Sequence, residues 1–459
     1  MSKSKSKSKS KNLHSRDSFA SQFGLVMAAV GSAVGLGNIW RFSYILGVNG
    51  GGAFLLVYVL CVLLVGVPIL ISELTIGRRS GLGAVGAFRK LAPGKLWVLV
   101  GAIGVVASTV IMAYYPVVAG WSLGYVFESI FNWGAITADS AAAFTAFSAG
   151  WKSAAFAAIA LLLTATVLIG GVSSGIERWN KILMPLLGAI LIVLMLRSVT
   201  LPGASDGIRF LFYPDFSKLG IAGFLDALGH SFYSLSLGMG IMITYASYMK
   251  KNANLVSATV SIITMDTLIA LLAGLAIFPA VFALGFDPGQ GAGLAFVTLP
   301  GAFAKMPLGQ FFSALFFLLL FIAALTSMMS LMQVPLTFME DEMKLSKKKG
   351  LLLISAIVAA LGTPAALSFG PLAHFKIMGL DYFSFLDKMA NDFLLPITGL
   401  LGALFVTFCF STAASKKEFL IGSKNPNPLL ARIYPFTIKF VAPIAIVLIL
   451  LNATGIFGR

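Results

Sequence analysis

Oxygen-bearing side chains interrupt several long apolar stretches of this sequence. Asn38 follows three glycines in "VGSAVGLGNIW", residues 30–40, and Asp266 lies in the apolar run "SIITMDTLIALLAG". Thr326 and Ser327 lie in "AALTSMMS". Carbonyl, hydroxyl, amide and carboxylate oxygens are the ligands that hard cations prefer. A charge at membrane depth normally faces a pathway, a partner or an ion. Asp266 is therefore predicted to face a pathway, a partner or an ion.

The glycine-rich stretch at 30–40 favours backbone that is unwound within the membrane. Such backbone is tolerated only where protein buries it or where it lines a cavity. Its carbonyls can then bind a cation, and the amides of the restarting helix can bind an anion. Helix packing through the G-x-x-x-G spacing of Gly31 and Gly35 is the alternative. Thr326 and Ser327 also have an alternative, since such hydroxyls often bond the carbonyl four residues back.

A second apolar span has the same kind of interruption. The segment "SFYSLSLGMGIMITYASY", residues 231–248, carries serines and two glycines within an apolar run. It lies five spans after the stretch at 30–40. Matching broken helices in two halves of a chain indicate the midplane site of an inverted-repeat transporter.

Long apolar helices must position these groups. The chain has 459 residues, 58% of them hydrophobic and 11% charged, and its mean hydropathy of +0.94 excludes a soluble domain. Runs long enough to cross a bilayer lie at 21–46, 52–76, 96–130, 153–171, 178–198, 222–248, 256–285, 309–342, 350–368, 383–414 and 433–455. We predict an all-α membrane protein with about 11 transmembrane helices in a 5+5 inverted repeat whose helices 1 and 6 are broken. A single transporter domain, 19–455, would comprise a first repeat at 19–198, a second at 222–414 and a peripheral span at 433–455.

The net charge of +16 is placed as in a membrane protein and not as in a nucleic-acid-binding protein. With the N-terminus in the cytoplasm, the basic clusters fall on the cytoplasmic side, as the positive-inside bias requires. The clusters are Arg78, Arg79, Arg89, Lys90 and Lys95; Lys250 and Lys251; Lys344, Lys347, Lys348 and Lys349; Lys416 and Lys417. We therefore predict a multi-pass protein of the cell's inner (plasma) membrane, with the lipid bilayer as partner and no nucleic acid. Residues 1–18 are predicted to be a disordered cytoplasmic tail.

The motifs of several enzyme classes are absent from the sequence. It contains no G-x-x-x-x-G-K, no H-E-x-x-H and no Cys/His metal spacing. We therefore predict a protein that is not an enzyme and is driven by an ion gradient. A channel is the rival from another class, but two unlike broken helices fit alternating access better than a continuous pore.

Several long motifs, in order, resemble the neurotransmitter:sodium symporter family, and in particular its bacterial sodium-dependent amino-acid transporters of the eleven-span type. They run from about Arg16 to the end of the chain: "GSAVGLGNIWRF", "NGGGAF", "VGVPILISELTIGR", "GIERWNKILMP", "SLSLGMG", "ITYASY" and "LTSMMSLMQ". The resemblance implies sodium-coupled symport of an amino acid by alternating access.

The resemblance also implies two sodium sites. The first would lie between the carbonyl of Ala33 and the side chains of Asn38, Ser234 and Asp266, with the substrate carboxylate completing it. The second would lie between the carbonyls of Gly31, Val34 and Ala323 and the hydroxyls of Thr326 and Ser327.

A substrate site is implied between the two breaks. The substrate carboxylate would meet the amides of Leu36 and Gly37 and the hydroxyl of Tyr115, and its ammonium the carbonyls of Ala33, Tyr233 and Ser234, near Ser236. The residues Ile111, Met239, Ser330 and Leu331 would contact the substrate side chain. Because that set is largely apolar, we predict hydrophobic or aromatic L-amino acids. A small amino acid or osmolyte, or a non-transporting sensor, remains the alternative.

The resemblance assigns gates at both ends of the site. Outside, Arg41 would pair with Asp392, beneath a lid of Tyr115 and Tyr233. Inside, Arg16 would pair with Asp341, supported by Tyr248 and by Phe19, which stands where the family has tryptophan.

Two further departures from the family pattern bear on ions and specificity. Asp266 stands where many relatives have asparagine, and Ala270 replaces the serine that chloride-dependent members use. A fixed carboxylate can supply the negative charge that chloride supplies elsewhere, so we predict transport without chloride; whether Asp266 exchanges protons is left open. Tyr233 and His230 replace phenylalanine and glutamine; the added hydroxyl and imidazole could bond each other, or they could contact a polar substrate.

Overall fold

The structure is a computed structural model that describes residues 18–289, 291–425 and 428–456. Its helices are α1 (Gln22–Ala33), α2 (Gly37–Val48), α3 (Gly52–Ser80), α4 (Ala84–Leu91), α5 (Val98–Phe131), α6 (Trp133–Ala138), α7 (Ser140–Ser148), α8 (Trp151–Ile169), α9 (Val172–Val199), α10 (Ala204–Phe212), α11 (Ile221–Ser234), α12 (Ile241–Ser247), α13 (Leu255–Ala283), α14 (Thr298–Ala304), α15 (Gly309–Asp341), α16 (Lys347–Leu367), α17 (Tyr382–Phe410), α18 (Thr412–Leu420) and α19 (Leu429–Ala453). Short 3₁₀ turns lie at Phe216–Lys218 and Gly291–Leu294. The strands β1 (Lys376–Ile377) and β2 (Leu380–Asp381) form an antiparallel hairpin.

The helices match the predicted spans. Within the described ranges, nine helices are long and apolar enough to cross a membrane, and α1 with α2 makes a tenth span bent by 47°. The predicted sixth span is present as α11 and α12, of 14 and 7 residues, each too short to cross alone. The all-α membrane fold with breaks in the first and sixth spans is thus confirmed. The proposed outer limits of the domain and of its two repeats stay predictions.

Glycines account for the break between α11 and α12. Gly238 and Gly240 have φ of 75° and 72°, and Ser236 has φ of 54°. Glycine adopts positive φ without the steric cost that a Cβ imposes, so this stretch turns where a helix would otherwise continue. Between α1 and α2, the helix instead ends at Val34, whose ψ of 92° is extended, and resumes at Gly37 as a π-helical turn.

Burial distinguishes a central group of helices from a lipid-facing group. In its most apolar stretch α15 is 89% buried, and α3 and α5 are 67% and 61% buried, whereas α19 is only 28% buried. Leucines such as Leu162 and Leu352 are largely exposed on the outer helices, as expected where lipid is the solvent. The broken spans therefore lie against a core made largely by α3, α5 and α15, and α19 is peripheral.

Candidate functional site

A small cavity of about 20 Å³ lies between the two breaks. Its lining comes from the breaks and from the faces of α5 and α15 that meet them: Ser32, Ala33, Gly35, Gly37, Ile111, Tyr115, Tyr233, Ser236, Met239, Ile241, Ser327 and Leu331. Most of the residues predicted for the substrate are in this set, and Leu36 and Ser234 are chain neighbours of lining residues. The sequence did not single out Ser32, Gly35 or Ile241 for this lining.

Ser330, predicted to contact the substrate side chain, lies outside this lining. It is one residue before Leu331 on α15, so its side chain points about 100° away around the helix. Its hydroxyl is 2.7 Å from the hydroxyl of Tyr245. That contact ties α15 to α12, and a contact of Ser330 with the substrate side chain stays a prediction.

Polar groups surround the break between α1 and α2. The amide of Leu36 donates to the Tyr115 hydroxyl at 3.1 Å, and the Ser327 and Ser236 hydroxyls donate to the carbonyl of Ser32 at 3.2 and 2.9 Å. A Cβ on Gly35 would lie 2.3 Å from Ser327 Oγ. The unwound backbone is therefore within hydrogen-bonding reach of side chains from three other spans.

Asp266 is the centre of a fully buried polar cluster. Its Oδ1 accepts from Asn38 Nδ2 and from Ser234 Oγ, both at 2.7 Å, and its Oδ2 accepts from the Tyr58 hydroxyl at 3.1 Å. All three donors are neutral, so they satisfy the carboxylate's lone pairs but leave its charge uncompensated. An unpaired buried carboxylate is costly, and a cation beside it would offset that cost. The side chains predicted for the first sodium site therefore lie together and fit a hard cation.

Tyr58 was missed by sequence reasoning. It lies on α3 within the apolar run "GAFLLVYVLC" and is fully buried, with its hydroxyl also 2.9 Å from Ser234 Oγ. A single tyrosine in an apolar span gives no pattern that separates it from a packing residue. Its role becomes visible only when α3 is placed against α11 and α13.

The residues predicted for the second sodium site lie where α1 meets α15 and α9. Thr326 Oγ1 lies 3.2 Å from the carbonyl of Ile322, the bond four residues back that the alternative interpretation expected, and 3.0 Å from the carbonyl of Ala323. A Cβ on Gly31 would lie 1.9 Å from Asn180 Oδ1, and this buried oxygen has no hydrogen-bond partner within the described residues. Such an oxygen normally has a ligand, water or ion as partner. The oxygen-rich surroundings of Gly31 thus fit a cation as well.

The outer gate differs from the prediction in its acidic partner. Arg41 lies over the ring of Tyr233, 5.1 Å from its centroid, and its guanidinium is 3.7 Å from Asp387 Oδ2. Asp392 instead pairs at 2.7 Å with Lys388, four residues earlier on α17. The structure therefore pairs Arg41 with Asp387, and the predicted pair of Arg41 and Asp392 is not formed in it. Asp392 has a cation on its own helix face, while Asp387, about 7.5 Å away along the axis, lies nearer to Arg41.

His230 does not bond Tyr233 in the structure. Its ring packs against Phe42 and Tyr58 at centroid distances of 5.8 and 5.3 Å, and neither nitrogen has a partner within the described ranges. A bond between His230 and Tyr233 is therefore not formed in this structure, and a contact of either side chain with a polar substrate stays a prediction.

The inner side of the site is closed by aromatic and backbone contacts. Phe19 is buried, packs edge-on against Tyr245 at 5.7 Å, and its amide donates to the carbonyl of Tyr248 at 3.2 Å. The Tyr248 hydroxyl is 3.0 Å from Thr337 Oγ1, and Asp341 accepts from the amide of Gly83 at 2.9 Å. Arg16, the predicted partner of Asp341, lies outside the described residues.

Two carboxylates to which the sequence assigned no binding role accept hydrogen bonds from the backbone of the broken spans. Glu177 accepts from the amide of Ala20 at 2.7 Å and from Ser21 Oγ at 3.0 Å, and so fixes the start of α1. Glu73 accepts from the amide of Gly238 at 2.7 Å, inside the break after α11. Nothing in the sequence of α3 indicates that Glu73 faces unwound backbone.

Comparisons with known proteins agree with this fold. Residues 16–142 and 148–456 match the model of a family described as the sodium:neurotransmitter symporter family. A relative from Bacillus subtilis (strain 168), "Uncharacterized sodium-dependent transporter YhdH", is 37% identical over 445 residues, covering 96% of this chain and 98% of the relative. An "Uncharacterized sodium-dependent transporter" from Haemophilus influenzae is 35% identical over 96% of this chain and 99% of its own. The crystal structure of MhsT in complex with L-phenylalanine matches with a TM-score of 0.88 and 43% identity, covering 96% of this chain and all of that one.

Proposed function

The chain belongs to the sodium:neurotransmitter symporter family, and we propose that it couples an inward sodium gradient to the uptake of hydrophobic and aromatic L-amino acids. Members of this family are sodium-dependent membrane transporters and not enzymes. The observation that carries the proposal is the two-sided cavity between the breaks. One side is polar backbone and hydroxyls, and the other is Ile111, Met239 and Leu331.

The polar side of the cavity suits the part that every α-amino acid shares. The amides of Leu36 and Gly37 and the Tyr115 hydroxyl bind the carboxylate, so Tyr115 exchanges its bond with the Leu36 amide for one with substrate. The carbonyls of Ala33, Tyr233 and Ser234 accept from the ammonium, near Ser236.

The apolar side selects the side chain. Met239 can adopt several rotamers and fit substrates of different shape. MhsT, the structural neighbour, was crystallised with L-phenylalanine, which supports an aromatic substrate here.

Two sodium ions would supply positive charge at the polar clusters described above. Asp266, Asn38 and Ser234 with the Ala33 carbonyl hold the first, and Thr326, Ser327 and the carbonyls of Gly31, Val34 and Ala323 hold the second. Asp266 contributes a fixed negative charge at the first site, and the fully buried Ala270 lies one helical turn away on α13. For this reason we propose that transport does not need chloride.

Alternating access requires that each side open while the other stays closed. We propose that Arg41, Asp387 and Tyr233 close the outer path, and that Arg16, Asp341, Tyr248 and Phe19 close the inner one. The N-terminus and basic clusters then face the cytoplasm, and the bilayer is the inner (plasma) membrane.

Uptake into proteoliposomes tests the proposal. Labelled phenylalanine, leucine, tyrosine, tryptophan and glycine are offered with an inward sodium gradient, with choline replacing sodium or gluconate replacing chloride. We expect accumulation of the large apolar amino acids that needs sodium and is unchanged in gluconate. Collapse in gluconate would overturn chloride independence, and accumulation of glycine alone would overturn the substrate class. Binding without accumulation would indicate a sensor.

A further inference from the structure

An apolar groove of about 330 Å³ lies on the lipid-facing side of the molecule, away from the substrate cavity. Its floor is α5 at Ala113, Pro116 and Val117, and its walls are α8 and α16. The volume is more than twice the ~150 Å³ of an apolar cavity that stays dry and binds benzene. The groove is thus large enough to hold part of a hydrocarbon chain.

The helices cannot close this groove by moving together. A Cβ on Gly362 of α16 would lie 2.6 Å from the carbonyl of Ala113, so α16 and α5 already meet at backbone distance. The wall residues Ala158 and Ala359 are short and exposed, while Leu162 and Leu352 extend beyond them with exposed fractions of 65% and 74%. A depression with fixed walls on a lipid-facing surface has to be filled by something apolar.

The length and direction of the groove suit one acyl chain. Its residues on α16 run from Leu352 to Ala366, about 21 Å at the helical rise of 1.5 Å per residue. One leaflet contributes roughly 15 Å of a hydrocarbon core that is ~30 Å thick. A chain that enters at one end of the groove could therefore lie within it along its whole length.

Positive charge lies at the Leu352 end of the groove. Lys348 and Lys349 precede Leu352 by four and three residues on α16, which places them on the face of the helix that lines the groove. Both lysines are exposed, and neither has a carboxylate partner within 4 Å in the described part of the chain. They are free to contact a phosphate at the membrane surface.

We propose that the groove between α5, α8 and α16 binds one acyl chain of an anionic phospholipid, whose phosphate contacts Lys348 and Lys349. The groove supplies apolar contact area, and the lysines select an anionic over a zwitterionic headgroup. Floor residues of the groove lie opposite Ile111 and Tyr115 around α5, so the lipid and the substrate would be separated by one helix.

Native mass spectrometry of the full-length protein tests this binding without requiring transport. Purified protein is mixed with equal amounts of phosphatidylglycerol and phosphatidylcholine, and the lipid retained per protein is counted. We expect wild type to retain phosphatidylglycerol. Ala359→Trp should lose it, whereas Ala360→Trp, at the exposed neighbour outside the groove, should not.

A second pair of variants keeps the proposal testable if Ala359→Trp does not fold. Ala158→Trp fills the opposite wall, and Ala155→Trp is its exposed control on α8. Replacing Lys348 and Lys349 by Gln should lower the preference for phosphatidylglycerol roughly fivefold per lysine. The same change at the exposed Lys417 and Lys424 should leave it unchanged.

Three outcomes would overturn the proposal. They are equal retention by the groove and control variants, a wild-type protein with no preference between the lipids, and a dimer that Ala359→Trp dissociates. The last would mean that a second copy of the chain fills the groove.

Discussion

At the scale of single residues, Asp266 determines what the centre of the molecule can hold. Its carboxylate is fully buried and accepts hydrogen bonds from Asn38, Ser234 and Tyr58, on α2, α11 and α3. Neutral donors orient a carboxylate but do not neutralise it. The cluster therefore orients its oxygens for a cation, and any change that loosens their orientation should weaken sodium binding.

The Tyr58→Phe variant tests whether the orientation of the Asp266 carboxylate affects sodium affinity. The variant removes the hydroxyl that contacts both Asp266 and Ser234 and leaves the ring packing intact. A hydrogen bond to a charged group contributes about 1.5–3 kcal/mol, so we expect the half-saturating sodium concentration to rise at least tenfold. The measurement is sodium-dependent substrate binding over a sodium titration.

Tyr125→Phe is the matched control for that substitution. Tyr125 is also buried on α5, but its hydroxyl has no hydrogen-bond partner within the described residues. The sodium titration of this variant should match wild type. An equal shift in both variants would show that loss of a buried hydroxyl, and not contact with Asp266, causes the effect.

The sequence predicted the residues that carry charge better than it predicted their partners. A carboxylate in an apolar span, such as Asp266, indicates a site because burying an unpaired charge is costly. The structure pairs Arg41 with Asp387 instead of the predicted Asp392. Both acids lie on the same helix, and the sequence does not show which one faces Arg41. Tyr58 carried no signal at all, since tyrosine is common in apolar spans.

At the scale of elements, contacts across the two breaks hold the unwound segments in place. Ser236, at a positive φ, donates to the carbonyl of Ser32 at 2.9 Å, and Glu73 of α3 holds the amide of Gly238. These contacts fix both broken spans against each other and against α3. The shape of the cavity therefore depends on backbone geometry as well as on its side chains.

Gly35→Ala should strongly weaken substrate binding while the protein still folds. A Cβ at this position would lie 2.3 Å from Ser327 Oγ and 2.7 Å from the Tyr115 hydroxyl, two side chains of the cavity. Both would have to move from the positions that contact Ser32 and Leu36. We expect at least a hundredfold loss of affinity, about 2.7 kcal/mol, measured by ligand-induced thermal stabilisation.

Gly188→Ala is the control for the effect of a methyl group in a helix. Gly188 lies inside α9 with nothing within 4 Å of its would-be Cβ. There the substitution should leave binding unchanged and stabilise the fold by about 0.5–1 kcal/mol. Equal loss of binding in both variants would contradict a local effect at the cavity.

Glu73 gives a second test at this scale. Glu73→Leu removes the acceptor of the Gly238 amide, and an unsatisfied buried amide costs about 1–3 kcal/mol. Glu73→Gln keeps an acceptor and should lower the unfolding temperature less than Glu73→Leu does. The check is the unfolding temperature of each variant beside its substrate affinity, and similar values for Gln and Leu would show that the bond to Gly238 contributes little.

The spans were predictable from the sequence because membrane helices need about 20 apolar residues each. The sixth span does not follow that rule, because neither of its two helices is long enough to cross a membrane alone. Its halves α11 and α12 are short, and six residues, Leu235–Gly240, connect them. Composition predicts that such a segment is broken, but the direction of the chain through the break depends on contacts such as the one with Glu73.

At the scale of the whole molecule, the cavity is closed on both sides. Arg41 and Tyr233 lie between it and an outer vestibule of about 260 Å³, and Phe19 with Tyr245 closes the inner side. Among the described residues, the inner closure includes the buried ring of Phe19 and a backbone bond to Tyr248, whereas the outer closure uses a partly exposed ion pair. Exposed pairs contribute only about 0–1 kcal/mol, so the pair of Arg41 and Asp387 adds little to the energy needed to open the outer gate.

The two acids of α17 distinguish the outer gate that the structure shows from the one that the sequence predicted. Asp387→Asn removes the charge 3.7 Å from Arg41, whereas Asp392→Asn removes only the partner of Lys388. With the Arg41 and Asp387 side chains 22% and 35% exposed, we expect Asp387→Asn to speed substrate dissociation by up to about fivefold. Asp392→Asn should change it less than about twofold.

The measurement is the rate at which labelled substrate dissociates from each purified variant, with Arg41→Gln as the reference. If Asp387 acts through Arg41, then Asp387→Asn should add nothing to Arg41→Gln, since the two variants remove the same interaction. Asp392→Asn should behave alike in both backgrounds, because its partner is Lys388. A larger effect of Asp392→Asn, absent when Arg41 is replaced, would mean that the pair predicted from the sequence forms during transport.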